Sequence, residues 1–363
     1  MRLSANPPIL PMLAKRVGAL PPGDGWVFEP KWDGFRAIVF RDDDDLVIQS
    51  RDGKPLNRYF PDLSAPLLAQ LPRRCVFDGE IVIARDGALD FDALQLRLHP
   101  AASRVQKLAA EMPASVVFFD LLFEGQQDWC AAPFAERRAQ LEALLIAVER
   151  PLHITPATRD RLIAADWFRR FEGAGLDGVV AKAEDGHYEP SKRVMLKVKH
   201  ERDCDCVVAG FRWHKSGEGT AVGSLLLGLH DDAGVLQHVG VCSSFSNEVR
   251  RDLVEFLGPH RSGPGEAHPW RHSSGAEQPA SGDESDRRPG GSSRWSGGKD
   301  LSWEPLRPDL VVEVAYDHMQ GRRFRHTAQF RRWRADRLPH DCTYEQLEVV
   351  PPQELSEIFR PGS

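Results

Sequence analysis

Two apolar runs, Trp26 to Phe28 and Phe35 to Phe40, are joined by Glu29-Pro30-Lys31-Trp32-Asp33-Gly34, so that a strand delivers one lysine into a tight turn. Short apolar runs separated by turn residues restrict this region to paired strands. Asp33-Gly34 is a hairpin signal, because both residues tolerate the positive φ of a tight turn, and the second run is expected to fold back on the first. Lys31 would then sit on a rigid strand end. A primary amine attacks phosphorus only when neutral, and burial and neighbouring cations are the two effects that deprotonate a lysine near neutral pH. This stretch supplies burial; the cations must come from elsewhere. Taken alone, it describes an exposed hairpin lysine, and further lysines and carboxylates must follow for the catalytic reading to hold.

A chain of 363 residues has room for two ordinary domains, and its apolar and charged fractions are those of a globular protein. The net charge of -6 excludes a uniformly basic coat, so nucleic-acid contact would depend on local patches. One such patch is plain: Arg322 to Arg337 holds seven arginines against one aspartate, with Phe324, Phe330 and Trp333 interleaved. Aromatic residues among arginines suit a nucleic-acid surface, with a solvated strand as the alternative. Asp42 to Asp45 reads as a solvated hairpin tip, since four adjacent side chains cannot all face one ion. The six cysteines include no Cys-x-x-Cys pair, which argues against zinc and a disulfide framework. No secretory signal and no run of membrane-spanning length is present, so the expected setting is cytoplasmic and reducing, without a membrane.

Along the chain, the proline-rich start to residue 25 is irregular, and Ser50-Arg51-Asp52-Gly53-Lys54 combines a hydroxyl, cations and a glycine turn in a way that suits a phosphate, or an ordinary polar turn. Cys75 to Ile83 is a buried strand pattern interrupted by Asp78 and Glu80, which a plain core would not choose, and Glu80 is the functional candidate. Val116 to Leu122 places Phe119 beside Asp120, an aromatic face able to hold a base. Pro133 to Val148 is an amphipathic helix to which only packing is assigned. Leu176 to Lys182 carries Asp177 near its start and Lys182 at its end, an odd separation that puts the two on opposite faces of an ideal strand, though a twisted or bulged edge would let them share a site, and Met195 to Lys199 places Lys197 and Lys199 on one face. Beyond His200 short strands predict a small antiparallel barrel containing one helix, capped by Ser246 and ending at Leu257 with Val249, Leu253, Phe256 and Leu257 on its face. His260 to Asp300, rich in Gly, Ser, Pro and charge, predicts a mobile loop.

In order, Lys31-Trp32-Asp33-Gly34-Phe35-Arg36, Ser50-Arg51-Asp52-Gly53, Asp78-Gly79-Glu80, Phe119-Asp120, Asp177-Gly178-Val179-Val180-Ala181-Lys182, Lys197-Val198-Lys199 and Arg334-Ala335-Asp336-Arg337 resemble the motifs of the ATP-dependent DNA ligases. The resemblance runs from about Pro8 to about Leu347 and is closest to the short bacterial group called ligase C. It implies an α+β chain: an ATP-grasp-like nucleotidyltransferase (adenylation) domain over 1–200, an OB-fold β-barrel over 201–350 with a low-complexity loop at about 260–300, and a tail over 351–363. It further implies ATP and Mg²⁺ or Mn²⁺ as cofactors, nicked double-stranded DNA as partner, a monomer, and a role in DNA repair. Lys31 corresponds to the nucleophile that is adenylated before AMP passes to a 5′-phosphate. Glu29 is similar to the residue whose backbone meets the adenine amine, Phe119 to the stacking ring, Arg36 and Glu80 to the ribose contacts, and Arg51 to the nick-phosphate contact. Asp177, with Glu80, resembles the metal-binding acids; Lys182, Lys197 and Lys199 resemble the phosphate-binding lysines, and Arg334 the residue that orients pyrophosphate. Two positions depart from the pattern: the metal acid is usually glutamate, and Met195 stands where tryptophan is common. With no amino-terminal DNA-binding domain and no polymerase or nuclease domain expected, the chain resembles a minimal ligase. An RNA ligase or a GTP-using capping enzyme shares the lysine and several motifs, and an inactive nucleic-acid-binding module would keep only the barrel and the basic strand.

Overall fold

The structure, a computed structural model, describes residues 6–263, 265–271, 289, 300–347 and 355. It divides into two compact units, one built on residues up to Lys199 with a return at Leu355, the other on His200 onward.

The first unit holds two sheets. In one, the strands Leu13–Arg16, Arg193–Val198, Val179–Ala183 and Trp26–Pro30 lie in that spatial order, all antiparallel except the first pair. The other runs Leu152–Ile154, Ser115–Glu124, Arg74–Val82, Phe35–Asp42, Asp45–Ser50, with Gln127–Asp128 added beside Ser115–Glu124. Trp26–Pro30 and Phe35–Asp42 therefore belong to different sheets, and the hairpin expected at Asp33-Gly34 does not form. The reason is steric. A Cβ at Gly34 would stand 2.2 Å from the Ile81 carbonyl oxygen, so glycine lets the link press against the strand Arg74–Val82 and cross between sheets. The tight hairpin lies instead at Asp42 to Asp45, where Asp42 is opposite Asp45 and Asp43 takes φ 54. Asp42 is not part of a solvated tip: it is buried and pairs with Arg74 at 3.3 Å.

Apolar residues of the central strands fill the space beneath the helices Pro61–Gln70 and Phe134–Leu144. A second cluster joins Phe28, Trp32 and Val179 to Trp167 of the helix Arg161–Arg170. Leu355 packs into that cluster, and its N–H donates to Gly87 O at 2.7 Å.

In the second unit the strands Leu236–Cys242, Val222–His230, Arg202–Trp213, Glu304–Tyr316 and Gln329–Trp333 form one antiparallel sheet in that order. Among the described residues no ladder closes it into the expected barrel. Between Tyr316 and Gln329 the chain turns on itself as a separate ribbon, Met319–Gln320 against Arg323–Phe324, and a bridge joins Cys242 at one sheet edge to Ala328, next to the other. The helix Asn247–Leu257 starts where expected, Ser246 Oγ accepting from Val249 N–H at 3.2 Å, and buries Leu253 and Leu257 while leaving Val249 and Phe256 exposed.

The expected mobile loop begins as ordered structure. His268 and Trp270 are buried; Trp270 Nε1 donates to Leu236 O at 2.8 Å, and His268 Nε2 lies 2.8 and 3.0 Å from the carbonyl oxygens of Ala209 and Leu306. Composition misled here because one indole, seated where a Cβ at Gly228 would come within 2.9 Å of it, outweighs a polar neighbourhood. Residues 272–288 and 290–299 of that stretch lie outside the described residues. Trp270→Ala is expected to destabilise the protein by about 3–5 kcal/mol, read as a shift in the urea unfolding midpoint.

Candidate active site

Lys31 leaves the strand Trp26–Pro30 still tied to its neighbour: its N–H donates to Gly178 O at 2.8 Å, and Asp177 N–H donates to Lys31 O at 2.9 Å. Gly178 takes φ 121, and a Cβ there would lie 2.0 Å from Val198 O, so its freedom serves close strand packing. The pairing sets Asp177 beside the lysine, with Lys31 Nζ and Lys199 Nζ each 2.7 Å from Asp177 Oδ2. Burial alone would raise the Asp177 carboxyl, yet Lys31 and Lys199 hold it down at about 2. Lys197 carries the opposite effect: burial, then Lys31 and Lys199, push its ammonium below the ordinary range.

One pocket in this unit is lined by Lys31, Glu29, Arg36, Arg51, Glu80, Phe119, Lys182 and Lys197. Phe119 lies under two cations, the Arg36 guanidinium 4.6 Å and the Lys182 ammonium 4.8 Å from its ring centre. Arg36 is gripped by Asp78, Nε at 2.5 Å and a terminal nitrogen at 2.6 Å. Glu80 accepts from the Gly34 N–H, and burial raises its carboxyl to about 7 against the pull of Arg36 and Lys31.

Lys182 does not join the other lysines. Its ammonium is buried between Glu29 Oε2 and Phe119 O, both at 2.8 Å, with Asp120 Oδ2 at 3.9 Å. Asp177 and Lys182 therefore take different partners, Asp177 lying ahead of the strand Val179–Ala183 that carries Lys182. Beneath lie two residues of a helix expected only to pack. Arg138 reaches Glu29 Oε1 at 3.1 Å and Thr155 O at 2.7 Å, and Arg137 clamps Asp120 at 2.7 and 3.1 Å. The helix Phe134–Leu144 therefore anchors the charged floor of the pocket as well as packing. A legible signal existed: Arg137 and Arg138 stand three and four residues from both Phe134 and Leu141, which puts them on the buried face of the helix.

Arg334 belongs to the second unit, where it contacts Asp205 (3.0 Å), Glu313 (3.1 Å) and Asp336 (2.9 Å). Its neighbours are likewise paired, Arg331 with Glu201 and Asp203, Arg332 with Glu313.

Residues 11–199 match the family model described as ATP dependent DNA ligase domain, and residues 218–337 match the ATP dependent DNA ligase C terminal region. The chain belongs to the ATP-dependent DNA ligase family. The ligase is 55% identical over 351 residues to DNA ligase C2 of Mycolicibacterium smegmatis, covering 97% of each chain. It is 52% identical to DNA ligase C of Mycobacterium tuberculosis, over 100% of this chain and 99% of that one. A solved Lig E DNA ligase matches with a TM-score of 0.53 at 17% identity, covering 90% of this chain and 99% of its own, which shows a shared fold. The ligase is thus an enzyme whose family uses ATP and a divalent metal ion and seals nicks in DNA. Among the described residues no helix is long and apolar enough to cross a membrane.

Among those residues no three of His, Cys, Asp and Glu converge as a ligand set. The donors at hand, Asp177 and Glu80, are hard carboxylates, which fits a divalent ion held jointly by one or two carboxylates and nucleotide phosphates rather than in a protein cage.

Proposed function

We propose that Lys31 Nζ attacks the α-phosphorus of ATP, forming a phosphorus–nitrogen bond while the bond to the β-phosphate oxygen breaks and pyrophosphate leaves. The 5′-phosphate of a nick then takes the AMP, freeing Lys31, and the 3′-hydroxyl displaces AMP to close the strand. The observation that carries this reading is the pocket that gathers Lys31, Arg36, Glu80, Phe119 and Lys197 while Asp177 links Lys31 to Lys199.

In this reading Phe119 stacks the base, the backbone of Glu29 meets the adenine amine, and Arg36 and Glu80 take the ribose. Lys197 and Lys199 grip phosphate oxygens, and Arg51 meets the nick phosphate. Lys182 faces the nucleotide from the pocket floor, where Glu29 and Asp120 balance its charge. Asp177 and Glu80 hold the metal, Mg²⁺ or Mn²⁺, which supplies charge neutralisation at the transferring phosphoryl group. Arg334, already arranged around carboxylate oxygens, orients pyrophosphate. The first unit is then the adenylation domain, with 351–363 as a tail, and the second a DNA-gripping OB-fold; the bridge between its sheet edges, where Ala328 N–H donates to Val241 O at 2.9 Å, supports that assignment. We further propose a monomer that acts in DNA repair on the cytoplasmic nucleoid.

Incubation with α-labelled ATP, denaturing electrophoresis and a chase onto nicked DNA tests the reading. Covalent label that moves to DNA is expected; label from GTP in place of ATP, or transfer only to nicked RNA, overturns it in favour of a related nucleotidyltransferase.

Glu80 adds a pH signature. Its folded-state carboxyl titrates at about 7, above the ordinary 4.5, so the folded protein binds more protons than the unfolded chain between those values and stability falls as pH rises through them. Glu80→Gln is expected to flatten that slope and to raise the stability of the nucleotide-free protein above pH 7 by about 1–2 kcal/mol, discounted for the solvent reaching the pocket. Unfolding midpoints at pH 5 and pH 8 check it.

A further inference from the structure

A ring of hydrogen bonds closes around Arg36. Tyr188 Oη donates to Asp78 Oδ2 at 2.5 Å, and Asp78 holds Arg36 through both carboxylate oxygens. The same terminal nitrogen of Arg36 donates to Met12 O at 3.2 Å, and Met12 N–H donates back to Tyr188 Oη, also at 3.2 Å. Met12, Arg36, Asp78 and Tyr188 come from four separate stretches of the first unit.

Asp78 and Tyr188 are both buried, and the Tyr188 main chain is itself tied down, its backbone N–H donating to Cys130 O at 2.9 Å. Burial and the nearby Asp78 push the phenol well above its ordinary range, so it stays a proton donor at working pH. Arg36 is left with one terminal nitrogen that has no hydrogen-bond partner among the described residues, on a guanidinium set over Phe119. Tyr188 does not line the pocket, so it acts only through what it holds.

We propose that Tyr188 is a positioning residue for ATP: by saturating Asp78 it fixes the Arg36 guanidinium against Phe119, and so sets how tightly the ribose end of the nucleotide is held. The transfer step itself is untouched. The inference rests on Arg36 being a ribose contact. A guanidinium held at three hydrogen bonds by buried partners loses little conformational freedom on binding, whereas one held by a half-satisfied aspartate samples other poses.

The test uses the full-length protein and single-turnover self-adenylation. Tyr188→Phe removes one hydroxyl and is expected to raise the ATP concentration for half-maximal rate about tenfold, while the maximal rate falls less than about threefold. In an Arg36→Ala background the same substitution should add less than about twofold, because the group it positions is gone. An unchanged half-saturation, or effects of the two substitutions that multiply, overturns the proposal. So does a joint fall in rate and affinity with a thermal midpoint lowered by more than about 8 °C, which marks a general packing role. Arg36→Ala alone separates the two readings: if it leaves half-saturation unchanged, the ribose assignment fails and takes this inference with it. If it weakens ATP while Tyr188→Phe does not, the inference alone fails.

Discussion

Lys31→Ala is expected to abolish covalent labelling by α-labelled ATP, with no residual band on a denaturing gel and no sealing of nicked DNA that lacks a 5′-adenylate. Several lysines approach the pocket, and Lys31, which lines it, has its main chain locked to Asp177 and Gly178. Lys182 is committed to Glu29 and the Phe119 carbonyl oxygen, and Lys199, which shares Asp177 with Lys31, is not among the residues lining the pocket. Removing a nucleophile removes the covalent step altogether, unlike the partial loss that follows from deleting a positioning group. Sealing of DNA already bearing 5′-AMP should survive, because that step no longer needs the amine. Label that persists on the variant at unchanged intensity refutes the assignment.

Asp177→Asn is expected to slow single-turnover adenylation about a hundredfold or more, the scale of lost electrostatic stabilisation at a transferring phosphoryl group. The substitution keeps the shape but removes the negative charge that Lys31 and Lys199 share. It also removes the carboxylate proposed to share a divalent ion with the phosphates. Asp177→Glu should retain part of the rate, since it restores the charge on a longer arm. Rates measured across a range of Mn²⁺ concentrations discriminate: an Asn variant with a near-normal rate and unchanged metal dependence would reduce Asp177 to a turn residue.

The pocket was legible because its residues are in the wrong place for anything else. Glu80 interrupts an apolar strand, Lys31 ends one, and Lys197 and Lys199 alternate along a third. Such residues cost stability in a plain core, so their presence points to chemistry. What could not be read was pairing across long separations. Asp78 was visible as a buried acid, but its partners Arg36 and Tyr188 lie 42 and 110 residues away. Arg137 and Arg138 were absorbed into a helical pattern that accounts for burial of a face and not for which charges it covers. Asp33-Gly34 carried a valid turn signal, and the Ile81 carbonyl decided that the turn would change sheets. Near the other end, Trp270 shows that local composition averages away a single side chain whose burial fixes its segment.

Leu355 gives the order of synthesis a structural meaning. Its side chain completes the cluster around Trp167 and Val82, and its amide is tied to Gly87, yet on the ribosome it emerges only after the whole of the second unit. A nascent chain that has released residues up to Lys199 has every residue that lines the pocket around Lys31 but lacks Leu355 from the core cluster. Amino-terminal segments start to fold as they emerge, so the first unit must wait, partly unsealed, while the second is made. A fragment cut at residue 199 would keep that gap in the cluster, and translation of the second unit sets a clock on when the first can mature.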